Sequence, residues 1–195
     1  MSRKSNGRIF GAIVLMAVLN ASAPPLHAES IEEKAQICAG CHGADGKPVD
    51  KSIPTIWGQQ AGYIYIELRD FKRGDRKSDI MQPIASALER QDMLDIAQYF
   101  SAKSWPDLGQ PRAPKDVSER AVSANRSIGC TGCHLDHFQG DGTVPRLAGM
   151  DRDYLLKQMT DFRSHARGNN PGMSDLMLVT PVDDLTALAE YLAGL

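Results

Sequence analysis

The feature that most constrains this chain is a pentapeptide that occurs twice. Cys38-Ala39-Gly40-Cys41-His42 and Cys130-Thr131-Gly132-Cys133-His134 together hold all four cysteines. C-x-x-C-H is the attachment signature of a c-type haem: two thiols add to the haem vinyl groups and the adjacent histidine becomes an axial iron ligand. A single copy also fits a thioredoxin-like redox pair, half of a zinc site or a disulfide. Two copies 92 residues apart narrow the choice, provided that the residues between them repeat as well.

They do repeat. At a shift of 92, Met81 falls on Met173, Tyr99 on Tyr191, and the set Met93, Ile96, Ala97, Phe100 on Leu185, Leu188, Ala189, Leu192. That i, i+3, i+4, i+7 spacing is one face of a helix. At a shift of 91, Ile64, Leu68, Phe71 fall on Leu155, Met159, Phe162, and Pro54 with Gly58 on Pro145 with Gly149. Each repeat is expected to be a helix ending in the pentapeptide, a Gly/Pro loop, a middle helix, a methionine loop and a last helix, with no strand. Thr180, Pro181 and Asp183 read as the capped start of the second repeat's last helix. The corresponding stretch near Glu89 and Gln91 lacks such a cap, so a less defined start is expected there.

The expected division is a leader over 1–28, a first domain over 29–103, a linker over 104–116 holding Pro106, Pro111, Pro114 and Gly109, and a second domain over 117–195. Arg3, Lys4 and Arg8 precede an apolar run from Ile9 to Leu19, which is the layout of a secretory signal peptide and too short for the ~20 residues of a bilayer span. Cleavage is expected after Ala28, with an uncleaved anchor as the alternative. Removing 1–28 takes three basic groups and no acidic ones, moving the formal charge from −2 to −5. Export would normally convert an even cysteine count into disulfides, but a structural disulfide has no reason to require the histidine that follows each pair. The composition, 42% apolar and 24% charged, is that of a soluble globular chain and carries no nucleic-acid bias. Repeats of about 75 to 80 residues are marginal as side-chain cores alone. A covalently held haem supplies an apolar plate, and without it both lobes are expected to be largely unfolded.

Low-spin haem iron used for electron transfer needs two strong axial ligands. His42 and His134 supply one each, and a thioether on the opposite face favours ferrous iron. Met81 lies 39 residues after His42, and Met173 lies 39 after His134. A methionine is ordinarily core filler, but the shared offset selects Met81 and Met173, with Met177 as rival in the second repeat. Cys38 and Cys41, and Cys130 and Cys133, are the candidate covalent attachments. A ligating imidazole usually donates its second N–H to a carbonyl, and Pro54 and Pro145 stand where they could position one. His27, His137 and His165 are expected to be bystanders. Arg69, Lys72, Arg73, Arg76 and Lys77 outnumber Asp70 and Asp75, which makes either a solvated helix face or a docking rim for an acidic redox partner.

The chain resembles the dihaem cytochromes c of the c4 class. The resemblance rests on the two pentapeptides, Pro54 to Gln59 and Pro145 to Gly149, the Tyr63 to Phe71 and Tyr154 to Phe162 helices, Met81 and Met173, and the closing helices with Tyr99 and Tyr191. It implies an all-α protein made by tandem duplication of two small class I cytochrome c domains, each wrapped around a covalent haem c and related by pseudo-twofold symmetry. The function it implies is a periplasmic carrier of single electrons between respiratory donors and a terminal acceptor such as an oxidase, not an enzyme. Partners would be redox proteins (an oxidase, a cytochrome complex or a dehydrogenase), with no small-molecule substrate and at most peripheral membrane association. The alternatives are a dihaem subunit of a dehydrogenase complex, for example in sulfur-compound oxidation, and a dihaem peroxidase, which needs an open iron position. Two departures stand out: Leu135 follows the second pentapeptide where Gly43 follows the first, and Ala148 replaces Trp57, so unequal potentials are expected.

Overall fold

The computed structural model describes residues 29–195; the leader expected over 1–28 lies outside the described residues. Among the described residues the chain is helical, with a lone bridge between Asp141 and Val144 in place of any strand. No helix among them is long and apolar enough to cross a membrane.

The first lobe holds α1 (Ile31–His42), α2 (Ala61–Arg73), α3 (Met81–Ser86) and α4 (Arg90–Ser101). Helix α1 begins with a capping box in which Ser30 Oγ accepts the Glu33 N–H and Glu33 Oε2 accepts the Ser30 N–H, satisfying donors that the helix itself cannot. It runs unbroken to His42 and stops at Gly43, whose φ of 88° and whose ideal Cβ, 2.0 Å from the Lys47 carbonyl oxygen, admit only glycine. Helices α2 and α4 bury the faces that periodicity marks: Ile64 and Leu68 share one core with Met93, Ile96, Ala97 and Phe100, and Phe71 is buried near the end of α2. Each of these side chains larger than alanine contributes about 1.5–3 kcal/mol on full burial.

The second lobe holds α5 (Lys115–Ile128), α6 (Thr131–His134), α7 (Arg152–Arg163), α8 (Pro171–Val179) and α9 (Val182–Ala193). Leu155, Met159 and Phe162 of α7 meet Leu185, Leu188, Ala189 and Leu192 of α9 in a second, separate core. Three local features differ from expectation. The pentapeptide of this lobe does not end a long helix: α5 closes at Gly129 in a left-handed conformation and the motif sits on its own turn, α6. Thr180 does not cap α9; its Oγ1 donates to the Leu176 carbonyl and closes α8, while Pro181 stands before α9. In the first lobe the start of α4 is well defined, because the Glu89 N–H is taken by Asp92 Oδ2 at 2.9 Å.

The segment expected as linker is tied down, and α5 already begins within it at Lys115. Gln110 accepts the Arg152 N–H and donates to the carbonyls of Met150 and Ala193. The Trp105 ring packs on the second core beside Gly149, next to the Ala148 that replaces Trp57, and Arg146 stacks over that ring at 4.6 Å.

The lobes meet along a seam. Gln59, 2% exposed, uses its amide as a backbone would, accepting the Arg146 N–H at 2.8 Å and donating to the Arg146 carbonyl at 3.0 Å. Gln60 donates to the carbonyls of Gln139 and Gly140. At Gly62 the two lobes' backbones pass so closely that an added Cβ would lie 2.6 Å from the Gly142 oxygen.

Candidate functional site

Helix α1 places Cys38, Cys41 and His42 at i, i+3 and i+4, along one side. His42 is 8% exposed and its Nδ1 lies 2.8 Å from the Pro54 carbonyl oxygen; His134 is 6% exposed and its Nδ1 lies 3.0 Å from that of Pro145. A carbonyl only accepts, so in both rings Nδ1 carries the proton and Nε2 keeps its lone pair, the tautomer a metal ligand needs. Burial pushes both imidazoles below the ordinary histidine range, partly opposed by the carbonyl contact. The rings are therefore neutral near pH 7.

Cys38 and Cys130 are half-buried, Cys41 and Cys133 are exposed, and no disulfide joins any of the four. Burial raises the Cys38 and Cys130 thiols above the usual range. Among the described residues no group of three or more His, Cys, Asp or Glu side chains is gathered as a metal site, so the two pairs do not combine into one zinc centre. Paired cysteines one helical turn apart, beside a buried imidazole with its Nε2 uncommitted, fit haem c in each lobe.

Met81 and Met173 are both half-buried, and in each lobe a motif cysteine and the methionine pack against the same core: Cys38 and Met81 on the first, Cys130 and Met173 on the second. Neither methionine lies in a loop. Met81 opens α3 and Met173 is the third residue of α8. In both, the backbone N–H is held by a side chain three residues back, Ser78 Oγ at 3.1 Å and Asn170 Oδ1 at 3.2 Å. This shared clamp was available in the sequence as Ser78 and Asn170 at the 92-residue shift. Met177, 3% exposed, is core; its counterpart at that shift, Ala85, is fully buried. His137 and His165 are exposed, and His27 is outside the described residues.

Periodicity alone misses a polar cluster at the seam. Glu67 and Asp70 of α2 are buried. Arg167 donates to Glu67 Oε1 at 2.5 Å and to the Tyr63 hydroxyl at 3.2 Å, and Asn169 donates to Asp70 Oδ2 at 2.8 Å. Arg76 donates to Glu67 Oε2 at 2.6 Å, to the Tyr154 hydroxyl at 3.2 Å and to Gln158 Oε1 at 2.7 Å. Burial works against the charge on both arginines, but the surrounding phenols and Glu67 outweigh it and hold their pKa above the ordinary value. Burial, then Glu67, pushes the Tyr63 phenol up. Arg76 thus drops out of the expected docking rim. Arg69 pairs with Asp70, Lys72 donates to the Leu88 carbonyl, and Arg73 and Lys77 remain exposed.

The Cytochrome c family model matches residues 34–102, the span holding the first pentapeptide, Pro54 and Met81. Cytochrome c4 of Azotobacter vinelandii is 30% identical over 83% of this chain and 86% of its own length. The thiosulfate dehydrogenase electron acceptor of Stutzerimonas stutzeri is 35% identical over 82% of this chain and 79% of its own. The crystal structure of reduced recombinant cytochrome c4 from Pseudomonas stutzeri superposes with a TM-score of 0.75 at 29% identity, covering 86% of this chain and 100% of that one. With both repeats covered and the same fold, the chain belongs to the cytochrome c4 family of dihaem electron-transfer proteins.

Proposed function

We propose that each lobe, over 29–103 and 117–195, is one haem unit and that the protein passes single electrons between respiratory donors and a terminal acceptor in the periplasm. Haem c bound in this way supplies a reversible one-electron change between ferric and ferrous iron. The chain's residues do the rest. Cys38 and Cys41, and Cys130 and Cys133, anchor the two groups as thioethers. His42 and His134 would offer Nε2, held in orientation by the Pro54 and Pro145 carbonyls, and Met81 and Met173 would each offer a thioether sulfur. The observation that carries the reading is the recurrence in both lobes of one arrangement: a buried histidine pinned through Nδ1 to a proline carbonyl, with a clamped, half-buried methionine 39 residues on. Met173 is favoured over Met177 because Met177 occupies the core position of Ala85.

The likeness to a thiosulfate dehydrogenase electron acceptor favours a second reading in which a catalytic subunit for a sulfur compound delivers the electrons. Copurification of a stoichiometric catalytic subunit separates the two. The leader expected over 1–28 and the extracytoplasmic chemistry of haem attachment support the periplasm.

The test is a spectroscopic redox titration of the mature holoprotein. Two haems per chain are expected, both with the weak long-wavelength band of methionine-ligated ferric iron. Met173→Leu removes one band, and Met177→Leu keeps both. A five-coordinate haem that binds carbon monoxide rapidly overturns the carrier reading in favour of a peroxidase.

A further inference from the structure

The seam cluster obeys the chain's pseudo-twofold symmetry with one departure. At the 91-residue shift Tyr63 maps to Tyr154, Glu67 to Gln158 and Arg76 to Arg167. The contacts map as well: each arginine donates to the position-67/158 side chain of its own lobe, to that of the other lobe, and to the other lobe's tyrosine. The departure is chemical. One lobe contributes a carboxylate where the other contributes an amide, so two guanidiniums share a single carboxylate. The three ionised side chains are only 7–11% exposed.

We propose that Glu67 is a potential-setting residue for both redox centres: a fixed negative charge at the seam, held by an arginine from each lobe, that keeps both reduction potentials lower than an amide there would. This rests on the two-haem reading given above. Glu67 lies on α2 between Ile64 and Leu68, which share a core with Cys38 and Met81, and Asn169, which donates to Glu67, precedes the Asn170 that holds Met173. Reduction adds an electron, so a negative charge there disfavours it, and at a buried site that influence is stronger and less screened by salt than at the surface. Guanidiniums stay protonated, so Glu67→Gln changes the seam by one full positive charge while preserving side-chain shape and one acceptor oxygen. Gln158→Glu makes the opposite change at the symmetric position. A carboxylate serving only as mechanical glue does not produce shifts of opposite sign from these two substitutions.

Redox titrations of the holoprotein, Glu67→Gln, Gln158→Glu and the double exchange decide the matter. Glu67→Gln is expected to raise both potentials and Gln158→Glu to lower both. Each changes the ferrous-to-ferric ratio at the wild-type midpoint at least twofold, at low and at high salt, and the double exchange returns the mean to wild type. Midpoints unmoved in both single variants, or moved in the same direction, overturn the proposal. If Glu67→Gln does not fold, the direction and size of the Gln158→Glu shift decide alone. Haem content of each sample distinguishes the two readings: a chain without two haems overturns the dihaem assignment, whereas two haems with unmoved midpoints overturn only the role of Glu67.

Discussion

The residue that follows each pentapeptide histidine shows how one position can be solved twice. Gly43 takes φ 88° and its missing Cβ leaves room for the Lys47 carbonyl. Leu135 stands at the same place with φ 64°, and Phe138, buried, follows with φ 53°. A non-glycine residue in that region costs on the order of 1–3 kcal/mol, so the turn between His134 and Pro145 carries strain that its counterpart avoids. Gly43→Ala is expected to destabilise the first lobe by at least about 2 kcal/mol, since the strain comes with a collision against backbone. Leu135→Gly is expected to be neutral or stabilising by up to about 1 kcal/mol, strain relief being partly offset by glycine's greater freedom when unfolded; Leu135 is 38% exposed and gives up little packing. Denaturant unfolding followed by far-UV circular dichroism checks both, and a loss above about 1 kcal/mol in Leu135→Gly would show that the leucine is held by more than its backbone.

Helix ends, more than helix faces, separate what the sequence discloses from what it conceals. The apolar faces of α2, α4, α7 and α9 are where a 3.6-residue period puts them, because burial rewards that period directly. The caps are less legible, since Thr180 can serve the helix before it or the one after, and only the path of the chain decides. Asp92 illustrates a cap doing two jobs. Its carboxylate takes the Glu89 N–H and also pairs with Lys34, tying α4 to α1. The Lys34 hydrogen bond, then the Glu89 N–H, hold the Asp92 carboxyl below the usual range. A folded pKa below the unfolded value of about 3.9 means that the contribution is complete above roughly pH 4 and is lost as pH falls through the folded value. Asp92→Asn is therefore expected to lower the thermal midpoint at pH 6 and to converge with wild type toward pH 2. A difference that stays constant across that range would place the effect in the amide's geometry instead of the charge.

At the scale of the molecule, duplication was legible and docking of the two copies was not. Pairs such as Gln59 with Arg146 and Glu67 with Arg167 lie 87 and 100 residues apart, and no periodicity within a helix marks which polar side chain will face the other lobe. That is why Arg76, one of five basic residues in a short stretch, read as part of a rim although its side chain, 11% exposed, is engaged at the seam. Arg73, three residues earlier, is exposed, and the two positions now carry opposite expectations. Arg73→Glu is expected to leave the unfolding midpoint within about 0.5 kcal/mol of wild type and to slow reduction by an acidic redox protein at low salt, the difference fading as salt screens the encounter. Arg76→Glu removes a guanidinium from between Glu67 and Gln158 and puts a carboxylate there, at a cost of about 3–5 kcal/mol for an unpaired buried charge. Its effect on electron transfer is expected to persist at high salt, because it acts through the seam and not through the encounter. Stopped-flow reduction across a salt series, beside denaturant unfolding of the same samples, separates them. If Arg76→Glu were as stable as wild type and its defect vanished with salt, the arginine would be working at the surface and the seam would be open in solution.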